Sequence, residues 1–234
     1  MYSADLAHIH HAGFGDLARG AAPAIIRLLR GHGVRPGARV IELGCGSGIL
    51  ARLLNDAGYD VLGIDASPAM IRLSRAHAPD ARFRVGSVAT ARLPRGAAVV
   101  AVGEVVNYVG ARTVRRVFTR VHGALREDGL FIFDFMASAD RRAFSGKSFA
   151  GEDWALVVRA DLDRGGRVLT RRITMFRKEA GVYRRSHETH RIHVHDRDEV
   201  AAALVGAGFS VRMRRSYDGY RLLPGDFVVT AQKL

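Results

Sequence analysis

From residue 38 onward, short apolar runs alternate with stretches of helical apolar spacing. "ARVIEL" (38–43) reads as a buried strand and "GILARLLNDAG" as a helix ending at Gly58. "DVLGID" is a second strand, followed by the helix "SPAMIRLSRAHA", where Ser67 suits the N-cap and Pro68 the first helical position. "ARFRVG" and "AAVVAVG" predict the third and fourth strands. "RTVRRVFTRVHGALRED" predicts a helix with Val114, Val117, Val121 and Leu125 on one face, and "GLFIFDF" a fifth strand. Strands that alternate with helices pair in parallel, so this part predicts a doubly wound α/β domain.

The pattern then changes. "WALVVRADLD", "RVLTRRITMFRKE" and "VYRRSHETHRIHVHD" are three long strand-like runs, separated by turns at Gly165-Gly166 and around Gly181. Such a meander pairs antiparallel. Trp154, Leu156, Val158, Ala160 and Leu162 form an apolar period-two face in the first run. A helix, "RDEVAAALVGAG", and two final strands, "FSVRMRR" and "DFVVTAQ", return to the main sheet. The chain thus divides into a helical segment at 1–33, which carries His8, His10, His11 and Phe14, and a core at 34–149. A β insert at 150–196 and a C-terminal part of the main sheet at 197–234 follow, all within one domain.

Composition narrows the class. The 234 residues, 48% hydrophobic and 25% charged, suit one globular domain with a full core. No apolar run approaches the ~20 residues needed to span a bilayer. The start of the sequence has no basic stretch followed by an apolar core, so no secretory signal is expected. The single cysteine, Cys45, forbids an intrachain disulfide and fits a reducing, cytoplasmic setting. The formal charge of +13 raises the question of a nucleic-acid partner. Lys147, Lys178 and Lys233 are the lysines and the other basic residues are arginine, scattered rather than blocked, so the charge argues for composition over a nucleic-acid partner.

The chemistry centres on "VIELGCGSG", between the first strand and the first helix after it. Gly44, Gly46 and Gly48 let the backbone turn sharply and approach a ligand closely. A dinucleotide loop would place glycine where Ile49 stands, and a P-loop would need Gly-Lys-Ser/Thr. The loop therefore suits a nucleoside without a diphosphate. Glu42 at the strand end suits a cationic group. Asp65 ends the second strand, where a carboxylate accepts hydrogen bonds from both hydroxyls of a ribose.

"IELGCGSG", "VLGIDASPAMIRLSRA", "ARFRVGS" and "LREDGLFIFDF", in this order and spacing, resemble the class I S-adenosylmethionine-dependent methyltransferases. The resemblance covers residues 36 to 136 and extends loosely through "VAAALVGAGFSV". It implies a Rossmann-like, mostly parallel seven-stranded sheet carrying a small antiparallel β insert. It also implies S-adenosylmethionine as cofactor and S-adenosylhomocysteine as product. Gly44, Cys45 and Gly46 would line the methionine part, with Glu42 helping to place it. Asp65 would take the ribose, and Ala66 and Met70 would border the adenine. Ser87 stands where the family often has a longer acidic or amide side chain, and the backbone of Val88 is the alternative there. "VGEVVNYVG" lies where the methyl group would point. It lacks the Pro-Pro-aromatic signature of enzymes that methylate base amino groups, and it presents Glu104, Asn107 and Tyr108 at the active-site mouth.

Methyl transfer is an in-line displacement, helped by alignment and desolvation, and it needs a base only if the nucleophile arrives protonated. Candidate bases or positioners are Glu104, Tyr108, His190, His10 and His11. Glu104 is also a candidate for the cofactor side, and turn capping is its structural alternative. Asp134 ends the fifth strand, either facing the pocket or closing a turn. The N-terminal segment is either a lid, with Phe14 excluding water, or a plain surface helix.

"SHETHRIHVHD" (186–196) looks at first like a metal site. In a strand, alternate residues share a face. His187, Thr189, Arg191, His193 and His195 then point one way, and Glu188, His190, Ile192 and Val194 the other. Four ligands cannot converge from such a strand, so no metal is expected. Ile192 and Val194 mark the inward face, where Glu188 and His190 need partners. The reading is a methyltransferase acting on N or O of a small molecule, with the insert as substrate lid or homodimer contact. The alternatives are an RNA or protein methyltransferase and a non-catalytic cofactor-binding module.

Overall fold

The computed structural model describes residues 2–139 and 146–234. A seven-stranded sheet forms the centre, in the order β10-β13-β5-β4-β1-β2-β3. β1 (Arg39–Leu43), β2 (Asp60–Asp65), β3 (Arg82–Val85), β4 (Gly96–Ala101) and β5 (Leu125–Met136) pair in parallel. β13 (Asp226–Lys233) runs antiparallel to both β5 and β10 (Phe209–Arg214). The doubly wound, mostly parallel sheet follows from the alternation of strands and helices in the sequence.

Both faces of the sheet are covered, which is why its strands read as continuous apolar runs. Val40, Val61, Val100, Leu130 and Ile132 face α2 (Asp16–Gly31), α3 (Ile49–Asp56) and α4 (Pro68–His77). Ile41, Ile64, Val99, Phe131 and Phe133 face α5 (Ala111–Ala124) and α6 (Arg197–Gly206). Each large side chain buried this way contributes about 1.5–3 kcal/mol. Ser67 caps α4 by accepting from the Met70 amide, with Pro68 first in the helix.

α5 stops at Ala124, short of the expected Asp128. Leu125 is already extended and pairs with Gly96, and a register irregularity separates that pair from the rest of the β4–β5 ladder. Asp128 is left-handed (φ 59°). A helical charge pattern thus loses to strand pairing, because Leu125 and Leu130 are both fully buried.

Beyond β5 lies a separate antiparallel sheet, β6-β7-β8-β9. Its long strands are β7 (Trp154–Leu162), β8 (Val168–Glu179) and β9 (Val182–His193), and a short β6 (Lys147–Ala150) precedes them. The inner face of this sheet packs on two things. Trp154, Leu156, Ile173 and Met175 cover Leu6 and Ile9 of α1 (Ala4–Gly13), while Ala160, Leu169, Ile192 and Val194 cover Met136 at the end of β5. A two-strand hairpin, β11 (Ser216–Tyr217) and β12 (Tyr220–Arg221), links β10 to β13.

Candidate active site

A cleft of about 360 Å³ opens where the parallel strands end, the usual ligand position of an open α/β sheet. Gly44, Gly46, Asp65, Ala66, Met70, Ser87 and Val88 line one side, and Gly103, Val105, Tyr108 and Val109 the other. Tyr2, His10, Phe14, Leu17 and Ala18 form a roof from the N-terminal segment.

At Gly44 and Gly48 the loop has no room for a side chain. Gly44 is left-handed (φ 67°), and a Cβ there would stand 2.4 Å from a Val105 methyl. Gly46 (φ 52°) faces open space, so its backbone is accessible. Asp65 Oδ2 accepts from the Gly46 amide at 3.0 Å and Oδ1 from the Ser67 amide at 2.8 Å. Burial pushes the Asp65 carboxyl up, and these two amides oppose the shift. The carboxylate is thereby locked at the cleft wall.

Glu42 and Cys45 sit behind this wall. Glu42 is 3% exposed, its Oε2 has no hydrogen-bond partner among the described residues, and burial raises its pKa well above the usual carboxylate range. The Cys45 thiol is buried and packs toward Gly63 and Phe83, so only its backbone reaches the loop surface.

The loop after β4 hangs on Asp134. Its carboxylate accepts from the Gly103 amide (2.9 and 3.0 Å), the Glu104 amide (2.6 Å) and the Tyr217 hydroxyl (2.8 Å). Burial nevertheless raises its pKa to about 6. Asp134 is therefore a brace beneath the cleft rather than part of its wall. It holds Glu104 in a left-handed turn (φ 58°). The Glu104 side chain is not among the residues lining the cleft and pairs with Arg171 at 3.0 Å.

The histidines sort differently from the expectation for two of them. Among the N-terminal pair it is His10 that faces the cleft; burial lowers its pKa to about 4, so it is neutral near pH 7. His11 turns to the far side of the glycine loop, where Nδ1 meets Ser47 Oγ at 2.8 Å. Strand parity places His195 with the outward histidines, yet it is 5% exposed and its Nε2 contacts the Val106 carbonyl at 3.2 Å. β9 ends at His193, so strand parity no longer governs His195. Within the strand the parity holds: His190 and Ile192 are buried, and His187, Thr189 and Arg191 are exposed.

Glu188 and His190 are indeed partnered. His190 Nε2 lies 2.8 Å from Glu188 Oε2, and His190 Nδ1 lies 3.2 Å from the Tyr108 hydroxyl. The Tyr2 hydroxyl stands 3.3 Å from that of Tyr108. Asn107 is fully buried and bridges Met136 to the His193 carbonyl, fixing the insert to the core. Among the described residues no three His, Cys, Asp or Glu converge as a metal site, and no helix is long and apolar enough to cross a membrane.

Sequence reasoning missed Tyr2, Arg171 and Asp226. Tyr2 roofs the cleft; Arg171 pairs in register with His190 across β8–β9. Asp226 is 7% exposed, and burial with the nearby Glu104 and Asp134 raises its pKa to about 8. Only the Tyr2 aromatic carried any signal in the sequence. The other two depend on strand register.

Residues 40–129 match a family model described as a methyltransferase domain. No curated protein sequence is significantly similar to the chain. Among solved structures, an S-adenosylmethionine-dependent methyltransferase from Clostridium acetobutylicum superposes with a TM-score of 0.84 at 14% identity, over 97% of each chain. An amino pentose methyltransferase from Micromonospora echinaspora gives 0.75 at 21% identity, over 100% of this chain and 98% of that one. A sugar N-methyltransferase from a Streptoalloteichus species gives 0.79 at 20% identity, over 97% and 92%. At these identities the likeness is one of fold.

Proposed function

We infer that this chain, a class I S-adenosylmethionine-dependent methyltransferase, moves the cofactor's methyl group to a nitrogen or oxygen of a small molecule held under the N-terminal roof. The observation that carries the reading is Asp65: a carboxylate locked by two backbone amides on the wall of a cleft also lined by Gly44 and Gly46. That arrangement suits a ribose beside a nucleoside. The residues fit the cofactor on a second count, the buried Oε2 of Glu42 beneath the same loop, which has no hydrogen-bond partner among the described residues and suits a hydrogen-bonding group nearby.

When bound, S-adenosylmethionine supplies an electrophilic methyl group whose bond electrons remain on sulfur. Gly44, Gly46 and Asp65 would hold its amino-acid and ribose parts, with Ala66, Met70, Ser87 and Val88 around the base. Phe14, Leu17 and Val105 keep water from the reacting centre, which strengthens the electrostatics of displacement. The similar structures named for an amino pentose and for sugar nitrogen support an amine-bearing sugar as the first acceptor to try.

Calorimetric titration with S-adenosylmethionine tests the reading. The wild type should bind, and Asp65→Ala should lose about 10- to 100-fold in affinity, as expected for charged hydrogen bonds. A wild type that binds neither S-adenosylmethionine nor S-adenosylhomocysteine overturns it.

A further inference from the structure

We propose that Glu188, His190 and Tyr108 form a proton relay that removes the acceptor's proton during methyl transfer. This rests on the methyltransferase reading above and goes beyond it, because it assigns a base and restricts the acceptor to groups that carry a removable proton.

Hydrogen-bond bookkeeping fixes the direction of the relay. Glu188 is used as an acceptor at both oxygens: Oε1 takes the Ser3 amide at 2.8 Å and Oε2 faces His190 Nε2 at 2.8 Å. An ionised carboxylate has no hydrogen to give, so the imidazole must carry its proton on Nε2. In the neutral ring Nδ1 is then a lone pair, and the Tyr108 hydroxyl, 3.2 Å away, donates to it. The Tyr108 oxygen keeps its own lone pairs on the cleft side. In this structure the Tyr2 hydroxyl stands there, at 3.3 Å. An acceptor N–H or O–H can take the same place.

The proton balance closes on named atoms. As the acceptor forms its bond to the methyl carbon, its proton passes to the Tyr108 oxygen. The phenolic proton moves to His190 Nδ1, leaving an imidazolium against the Glu188 carboxylate. That proton is released to solvent before the next turnover. The phenol, with its pKa raised mainly by burial, would be a poor base alone, and the imidazole behind it solves this. His10 on α1, Arg171 on β8, Glu104 after β4, Asp65 at the end of β2 and Tyr2 are the other titratable groups facing this set. Tyr108 touches the acceptor and is catalytic; His190 and Glu188 act through it as positioning residues.

α1 completes the relay. Ser3, its N-cap, donates to Glu188, and Tyr2 beside it meets Tyr108. The segment that roofs the cleft therefore also holds the Glu188 end of the hydrogen-bond chain.

Nitrogen-15 spectra of histidine-labelled apo protein test the geometry without any acceptor. The His190 ring, assigned by its loss in His190→Gln, should be the Nε2–H tautomer near neutral pH, and its Nδ1 signal should move in Tyr108→Phe. An Nδ1–H tautomer, or an Nδ1 signal indifferent to Tyr108→Phe, overturns the relay. With an amino sugar that the wild type methylates, Tyr108→Phe and His190→Gln should each lower kcat about 100-fold and flatten the acid limb of the pH profile. KM and S-adenosylmethionine affinity should stay unchanged, and so should every property of His187→Ala. A parallel loss of cofactor affinity would make the residues structural and sink the proposal. Failure of the wild type to bind S-adenosylmethionine strikes the methyltransferase reading instead, while the tautomer still decides the hydrogen-bond chain.

Discussion

The Tyr217 hydroxyl donates to Asp134 Oδ2 at 2.8 Å, across 83 positions of sequence, with both side chains buried. Through that bond the β11–β12 hairpin steadies the carboxylate that holds the Gly103–Glu104 turn at the cleft. Tyr217→Phe removes a donor from a buried charged acceptor, which costs about 1–3 kcal/mol. Urea unfolding should show that loss with an unchanged slope.

Asp226 gives a pH signature of stability. Its folded pKa, about 8, lies above its ordinary value of 3.8. The folded state therefore holds the proton more tightly, so this group's favourable contribution is complete below pH 3.8 and is lost as pH rises through about 8. Asp226→Asn keeps the shape without the charge. Its Tm should exceed that of the wild type at pH 8–9, by about 2–4 °C for each kcal/mol regained, and the gap should close toward pH 4.

Asp5 acts in the opposite sense. Burial alone would raise its carboxyl, but Ser186, Arg184 and Arg177 outweigh burial and hold it below the ordinary range. Its contribution is present above the unfolded pKa and is lost as pH falls through the folded one. These contacts fasten α1 to β8 and β9. Asp5→Ala should speed amide exchange in α1 while leaving β1, β4 and β5 protected. Equal exchange in α1 would show that the apolar contacts of Leu6 and Ile9 suffice.

Gly44→Ala should be disabling. A left-handed alanine costs about 1–3 kcal/mol, and its methyl would stand 2.4 Å from Val105. Reduced Tm together with lost S-adenosylmethionine binding is the expected result. Gly46→Ala faces open space, so it should lower stability less and impair binding through the methyl's intrusion into the cleft.

The split of Glu188 and His190 from their neighbours was legible because parity is a local property of a strand. The same rule gave the inward face of β7. It failed at His195, where the strand had ended, and the helix pattern overran Ala124, where pairing of Leu125 to Gly96 took precedence. His10 and His11 were indistinguishable in sequence, since both lie on one helix; packing against Ser47 and His77 selected His11 for the outer side.

By itself the sequence determined the alternation of strands and helices, the glycine loop and the strand-end position of Asp65, because each is written in a few consecutive residues. Tertiary structure alone decided that Arg171 meets Glu104, that Asp134 braces the loop at Gly103, and that Tyr2 and Tyr108 meet beside His190. Those contacts join segments far apart in the chain. Strand register and the docking of α1 create them, and no local pattern encodes either.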